Sequence, residues 1–148
     1  MRTSIIYRAL LLWLHIRSLF SSGCPEGMDS SGNYSIPSGT VNIPNDAYQS
    51  CKGLKHITIP DSVATIGAGA FRGCNRLESV SIPDSVISIG NEAFYECFSM
   101  ASVTLGESVT SIGARAFFEN FDLISLYISD SVIAVSYTHL RAHETTNY

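Results

Sequence analysis

An Ala-aromatic pair recurs as Ala47-Tyr48, Ala70-Phe71, Ala93-Phe94 and Ala116-Phe117, each pair 23 residues after the last with no insertion. Other columns keep that step. Leu54, Leu77, Met100 and Leu123 form one, and Ile57, Val80, Val103 and Leu126 the next. Ile36, Ile59, Ile82, Leu105 and Ile128 follow, then Val63, Val86, Val109 and Val132, and Ile43, Ile66, Ile89, Ile112 and Val135 close the set. Chance does not hold so many columns in one register, and a fixed period of this length means a solenoid in which each repeat is one coil.

Each repeat has a readable internal form. Leu77-Glu78-Ser79-Val80-Ser81-Ile82 ends in strand-like alternation, which points Val80 and Ile82 inward and Ser81 outward. Pro83-Asp84-Ser85 breaks that strand, because proline removes a ladder donor while Asp and Ser offer side-chain oxygens to their own turn. Val86-Ile87-Ser88-Ile89 is a second extended segment, and Gly90 is expected to supply a positive φ at the corner. Asn91-Glu92-Ala93-Phe94-Tyr95-Glu96 has the length of about one helical turn.

A single coil does not stand alone. About seven inward side chains at roughly 1.5 to 3 kcal/mol each do not offset the ordering of a whole repeat at about 1.5 kcal/mol per residue. Stacking supplies the missing burial, since both faces of each inner coil become interior. The composition agrees: 45% of the 148 residues are hydrophobic and only 15% charged, which is the balance of a folding chain.

The pattern Leu-x-x-Ile-x-Ile-Pro-Asp-Ser-Val-x-x-Ile-Gly-x-x-Ala-Phe-x-x-Cys, carried by Leu54 to Cys74 and again by Leu77 to Cys97, resembles the BspA-type leucine-rich repeat family. The resemblance implies a repeat solenoid, mainly β with short helical turns, right-handed and of about four coils. It also implies a secreted or cell-surface protein engaged in adhesion and recognition, with a protein or surface glycan as ligand. The repeats are placed at about 34–56, 57–79, 80–102 and 103–125, with a partial one at 126–135. Three departures lie near the ends: Pro44 stands in the Gly90 column, Glu107 in the Asp84 column and Asn120 in the Cys97 column.

Outside the repeats the chain changes character. Met1-Arg2, an apolar run from Ile5 to Ile16 and the small residues Ser21-Ser22-Gly23 resemble a secretory signal over 1–23, although Arg8, His15 and Arg17 interrupt it. The apolar run is shorter than the ~18 residues of a membrane span. Ser21-Ser22-Gly23-Cys24 also resembles a lipoprotein cleavage box, with Ser where Leu is usual. Gly, Ser, Pro, Asp and Asn dominate residues 24–33, which read as a linker. After Val135 the register lapses. Residues 136–148 form a non-repeat tail that reads like translated adapter sequence at the end of a truncated gene, and its His139 and His143 form a metal-ligand pair only on a helix.

Cys51, Cys74 and Cys97 stand one repeat apart, the spacing of a position in a coil. They read as small buried side chains, with a bridge between neighbouring coils or a metal as the lesser alternatives. The net charge of −4, with Lys52, Lys55, Arg72, Arg76 and Arg115 as the only basic groups between Tyr34 and Val135 besides His56, argues against a nucleic-acid partner. No phosphate loop, dinucleotide fingerprint or zinc-protease motif occurs, His56 has no triad-like companions, and neither catalysis nor a cofactor is expected.

Two columns remain as candidates besides the strand face. The Phe column is expected to be core, and Asp61, Asp84, Glu107 and Asp130 form an acidic edge whose members are expected to cap turns and not to hold calcium. The outward strand positions differ from coil to coil while the core repeats: Lys55, His56 and Thr58; Glu78, Ser79 and Ser81; Ala101, Ser102 and Thr104; Ile124, Ser125 and Tyr127. Variable residues on a regular scaffold suit recognition. This face is the expected binding site, and the alternative is a spacer within a larger repeat array with no ligand of its own.

Overall fold

The computed structural model describes residues 23–127 and 132–135. The expected signal segment (but for Gly23), Asp130 and the tail from 136 lie outside the described residues. Every coil contributes a three-residue strand and then a two-residue strand: β1 (Asn33–Ser35), β2 (Asn42–Ile43), β3 (His56–Thr58), β4 (Thr65–Ile66), β5 (Ser79–Ser81), β6 (Ser88–Ile89), β7 (Ser102–Thr104), β8 (Ser111–Ile112), β9 (Ser125–Tyr127) and β10 (Ala134–Val135). The odd strands form one parallel sheet and the even strands another. Partners keep the sequence period: Ser79 faces Ser102, which faces Ser125, and Ile43 faces Ile66, which faces Ile89.

The inward columns make one continuous core. Leu54, Val63, Phe71, Cys74, Leu77, Val86, Phe94, Cys97 and Met100 are all fully buried. The aromatic column is core, as the sequence implied. Its rings stack coil upon coil, with centroids 5.1 Å apart for Tyr48 and Phe71, 5.0 Å for Phe71 and Phe94, and 5.3 Å for Phe94 and Phe117. Offset stacking of this kind adds about 0.5 to 1.5 kcal/mol per pair beyond area burial.

The third side of each coil departs from expectation. Residues 91–96 are not a helical turn, and no helix occurs among the described residues. In a helix every backbone N–H returns to its own segment. Here only alternate ones do. Tyr95 N donates to Glu92 O at 3.1 Å within the coil, while Glu92, Phe94 and Glu96 donate to Ala114, Ala116 and Phe118 of the next coil at 2.9, 2.8 and 3.1 Å. The turns therefore form a third ladder along the stack. Reversing successive N–H groups requires left-handed backbone, found at Glu92 (φ 55°) and Glu96 (φ 57°) and at their counterparts Asp46, Ser50, Gly69, Gly73, Arg115 and Glu119. Each non-glycine residue there costs about 1 to 2 kcal/mol, which the inter-coil bonds offset.

Gly90 also has a different role from the one expected. It is absent from the positive-φ positions, and its place is fixed by contact with the preceding coil. A Cβ at Gly90 would meet Ala68 N at 2.5 Å and the Gly67 carbonyl carbon at 2.7 Å, and Gly67 and Gly113 are crowded in the same way. Residue 44 is the member of this column that Gly67 packs upon, so proline is accommodated there.

Short polar bonds tie neighbouring coils. Ser62 Oγ donates to Thr40 O at 2.9 Å and Ser85 Oγ to Val63 O at 2.7 Å, so these serines bond the preceding coil and not their own turn. Asn45 and Asn91 accept from Ala68 N and Ala114 N, each at 2.8 Å. The thiols of Cys74 and Cys97 donate to Tyr48 O and Phe71 O at 3.1 and 3.2 Å. Asn120, in the same column, accepts from Cys97 N at 2.8 Å and donates to Phe117 O at 3.0 Å, which satisfies a buried amide where the other coils bury a thiol.

The cysteine column is broken at its first member. Cys51 is bridged to Cys24, whereas Cys74 and Cys97 are free and buried. Residues 24–33 are accordingly a cap on the first coil and not a linker. Met28 packs against the core and lies over Gly53. Asp29 Oδ1 accepts from Ser31 N and Asn33 N, both at 2.9 Å, and its Oδ2 accepts from Asn33 Nδ2 at 2.8 Å. These bonds, that from the Asn33 N–H foremost, hold the Asp29 carboxyl below its ordinary value. Gly32 O accepts from Lys55 N at 2.8 Å, which docks the cap on β3. A thiol used in this bridge is not open to a lipid, so the cleavage-box reading of Cys24 does not fit the fold.

Burial pushes the Cys74 thiol up to about 12 and Cys97 well above its ordinary value, so neither supplies thiolate near neutral pH. Native oxidised protein is expected to leave both unlabelled by a thiol reagent at pH 8. Reducing the bridge, which spans a sequence separation of 27, is expected to lower the unfolding free energy by about 3.5 kcal/mol. Urea unfolding with and without reductant checks this, and an unchanged midpoint would refute the role of the cap.

Candidate binding face

The first sheet places the expected face on one surface. Ile57, Val80 and Val103 point inward, and the flanking residues of each strand point to solvent. One outward row runs His56, Ser79, Ser102 and Ser125 through direct register partners. A second holds Thr58, Ser81 and Thr104, with Tyr127 paired to Thr104 by backbone. Ser102 is half-buried, and His56, Thr58, Ser79, Ser81, Thr104 and Ser125 are exposed. Lys55 and Glu78 lie at the start of the strands, Glu78 exposed and Lys55 half-buried. The other eight expected residues thus share one sheet, with Lys55 and Glu78 immediately before its strands.

The face is small-sided and hydroxyl-rich, with one polar contrast at its N-terminal end. His56 Nε2 lies 3.9 Å from Glu78 Oε2, both side chains about half exposed. A pair of this kind is worth about 0 to 1 kcal/mol and leaves both groups open to a ligand. Two open grooves border the sheet. One, between Asp29, Asn33, Ser35, His56 and Thr58, lies beside the cap. The other runs along the strand ends past Thr58, Ser81, Thr104, Asp61 and Asp84.

Two members of the face were missed in the sequence. Asn33 and Ser35 of β1 pair with His56 and Thr58 and are exposed beside them. Their signal was present, since Asn33 stands one period before His56, but the polar run around them reads as linker. Of the acidic edge, Asp84 serves the stack. Asp84 Oδ1 accepts from Glu107 N at 2.9 Å, bonding the next coil and not its own turn. Among the described residues no three His, Cys, Asp or Glu side chains come together to hold a metal ion, and no helix is long and apolar enough to cross a membrane.

Parallel strands repeated at one constant step around a uniform aliphatic and aromatic core define a leucine-rich-repeat solenoid. The chain belongs to the BspA type leucine rich repeat family, whose six-copy region model matches residues 22–145. Three solved structures share the fold. A leucine rich repeat protein of T. pallidum matches with TM-score 0.70 and 27% identity, over 76% of this chain and 54% of that one. A leucine-rich repeat protein from Bacteroides ovatus matches with TM-score 0.62 and 26% identity, over 70% and 27%. A leucine rich cell surface protein from Faecalibacterium prausnitzii matches with TM-score 0.57 and 21% identity, over 72% and 32%. The chain therefore spans about half or less of the length of these relatives. Comparison with curated proteins gives no match.

Proposed function

We propose that the chain is a non-catalytic binding module of a secreted or cell-surface protein, and that the outward face of the odd-numbered strands takes a protein or surface glycan ligand. The observation that carries this reading is the contrast between the inner and outer residues of the same strands. Inner positions hold Tyr34 in the first strand and then only Ile, Val and Leu, whereas the outer ones run through Asn33, His56, Ser79 and Ser102 in one row and Ser35, Thr58, Ser81 and Thr104 in the next. Side chains that vary on so constant a scaffold suit recognition.

The Cys24–Cys51 bridge supports an oxidising compartment, where structural disulfides form and persist. It does so independently of the leader-like start of the sequence, and one structural relative is described as a cell surface protein. The short hydroxyl side chains suit hydrogen bonding to a polar polymer, glycan or extended peptide, more than capture of an apolar ligand. A second reading, a spacer in a longer array, is favoured by the share of the relatives that this chain spans, 54% or less.

An export-reporter fusion and a binding screen test the first reading together. Export of the fusion and capture of the folded chain by immobilised surface glycans or extracellular proteins is the expected result. Retention of the fusion in the cytosol would refute the location, and failure to bind across the screen would favour the spacer.

A further inference from the structure

A second surface borders the first sheet and changes character along the stack. On the flank that leads into the odd-numbered strands, the first coils present Lys52, Lys55, Asn75, Arg76 and Glu78. Lys52 and Asn75 give way in their column to Phe98 and Phe121, and Lys55 and Glu78 to Ala101 and Ile124, while the Arg76 column stays polar with Ser99 and Asp122. Phe98 and Phe121 stack at 5.6 Å, and Tyr95 and Phe118, three residues before each in the chain, stack at 5.8 Å. Phe121 is 66% exposed and Ile124 90%. Aromatic side chains held by their neighbours and open to water are the usual anchors of protein interfaces.

The charge beside this strip is mainly acidic, with Arg72 over the Tyr95 ring at 5.3 Å from its centroid as the nearby cation. From Glu92 to Tyr127 the acidic groups are Glu92, Glu96, Glu107, Glu119 and Asp122, and Arg115 is the only basic one. Arg115 is spent on Glu92, which also receives Arg72, at 3.4 and 3.1 Å. Glu96 and Glu119 flank the Tyr95 phenol and help to raise it, after burial. Asp122 adjoins Phe121 and is exposed. Among the described residues no cation lies within ion-pair distance of these three carboxylates.

We propose that this flank docks a segment of a partner protein that carries apolar side chains interleaved with Lys or Arg. The apolar side chains cover Phe98, Phe121 and Ile124, and the cations meet Glu96, Glu119 and Asp122. The two surfaces share the column of Lys55, Glu78, Ala101 and Ile124, while Phe98, Phe121, Glu96, Glu119 and Asp122 lie outside the hydroxyl-rich rows of the strands, so each is tested through residues of its own.

The test uses the full chain and a fluorescent twelve-residue peptide of alternating Leu and Lys, read by anisotropy. Matched peptides of alternating Ser and Lys, and of alternating Ser and Glu, are controls. The Leu–Lys peptide is expected to bind, with loss of at least about tenfold in affinity in Phe98→Ser/Phe121→Ser and again in Glu96→Gln/Glu119→Gln/Asp122→Asn. A His56→Ala/Ser79→Ala variant is expected to bind it unchanged. Circular dichroism confirms the folds, and Phe121→Ser alone replaces the pair if the double variant unfolds. The proposal is overturned if the Leu–Lys peptide does not bind, if either control peptide binds as tightly, or if the flank variants bind it as well as the parent.

Discussion

Phe71→Ala is expected to cost about 3 to 5 kcal/mol and to leave much of the population without fixed tertiary packing at 25 °C. The side chain is fully buried and stacks on Tyr48 on one side and Phe94 on the other. Its removal opens a cavity between two coils that the ladders on all three sides prevent from collapsing. A small domain has only about 5 to 15 kcal/mol in total, so a single ring is a large share. Urea unfolding followed by near- and far-ultraviolet circular dichroism measures the loss. The exposed ring of Phe121 provides the contrast, because Phe121→Ala loses one stacking contact with Phe98 and should cost only about 1 kcal/mol.

Gly90→Ala is expected to be nearly as severe, at about 3 kcal/mol, the upper end of overpacking costs, although it adds one methyl group. The new Cβ would lie 2.5 Å from Ala68 N and 2.9 Å from Ala68 Cα. Both are backbone atoms of the coil below, so no side chain rotates away and the coils must part. Parting them stretches the bonds from Gly90 N to Ile66 O and from Ile87 N to Ala64 O, each 2.8 Å long. Pro44→Ala, in the same column at the start of the stack, should cost much less. Equal losses in the two variants, measured by urea unfolding, would show that the glycine acts through its own backbone and not through contact between coils.

Gly90 also marks where sequence reasoning stops. The period, the inward columns, both sheets and their register were legible, because burial on a repeating scaffold forces the same side-chain types at a fixed step. The reason for the glycine was not, since close approach between coils is a property of the stack and not of any one repeat. The turn side was misread for a related cause. Asn91 to Glu96 has the length and composition of a helical turn, and only the neighbouring coil supplies the carbonyls that draw alternate N–H groups outward. The Cys24–Cys51 bridge was hidden because Cys24 lies outside the register that made the other three cysteines look equivalent.

The candidate face divides in the same way. Its four expected coils were found because outward strand positions follow from the two-residue alternation. Asn33 and Ser35 were missed because β1 lies in a polar segment whose order depends on Asp29 and on docking against Lys55. The apolar flank was visible as residues but not as a surface. Phe98 and Phe121 sit in turns, where no alternation tells inside from outside.

One paired measurement tests directly whether the recognition face is separable from the uniform scaffold that carries it. The variant Lys55→Ser/His56→Ser/Glu78→Ser changes the most distinctive groups of the face without touching a core column. Its unfolding free energy and its affinity for whichever glycan or protein the screen returns are measured on the same sample. The prediction is stability within about 0.5 kcal/mol per site of the parent, together with loss of binding. Unchanged binding, or a fold that fails with the face, would contradict it.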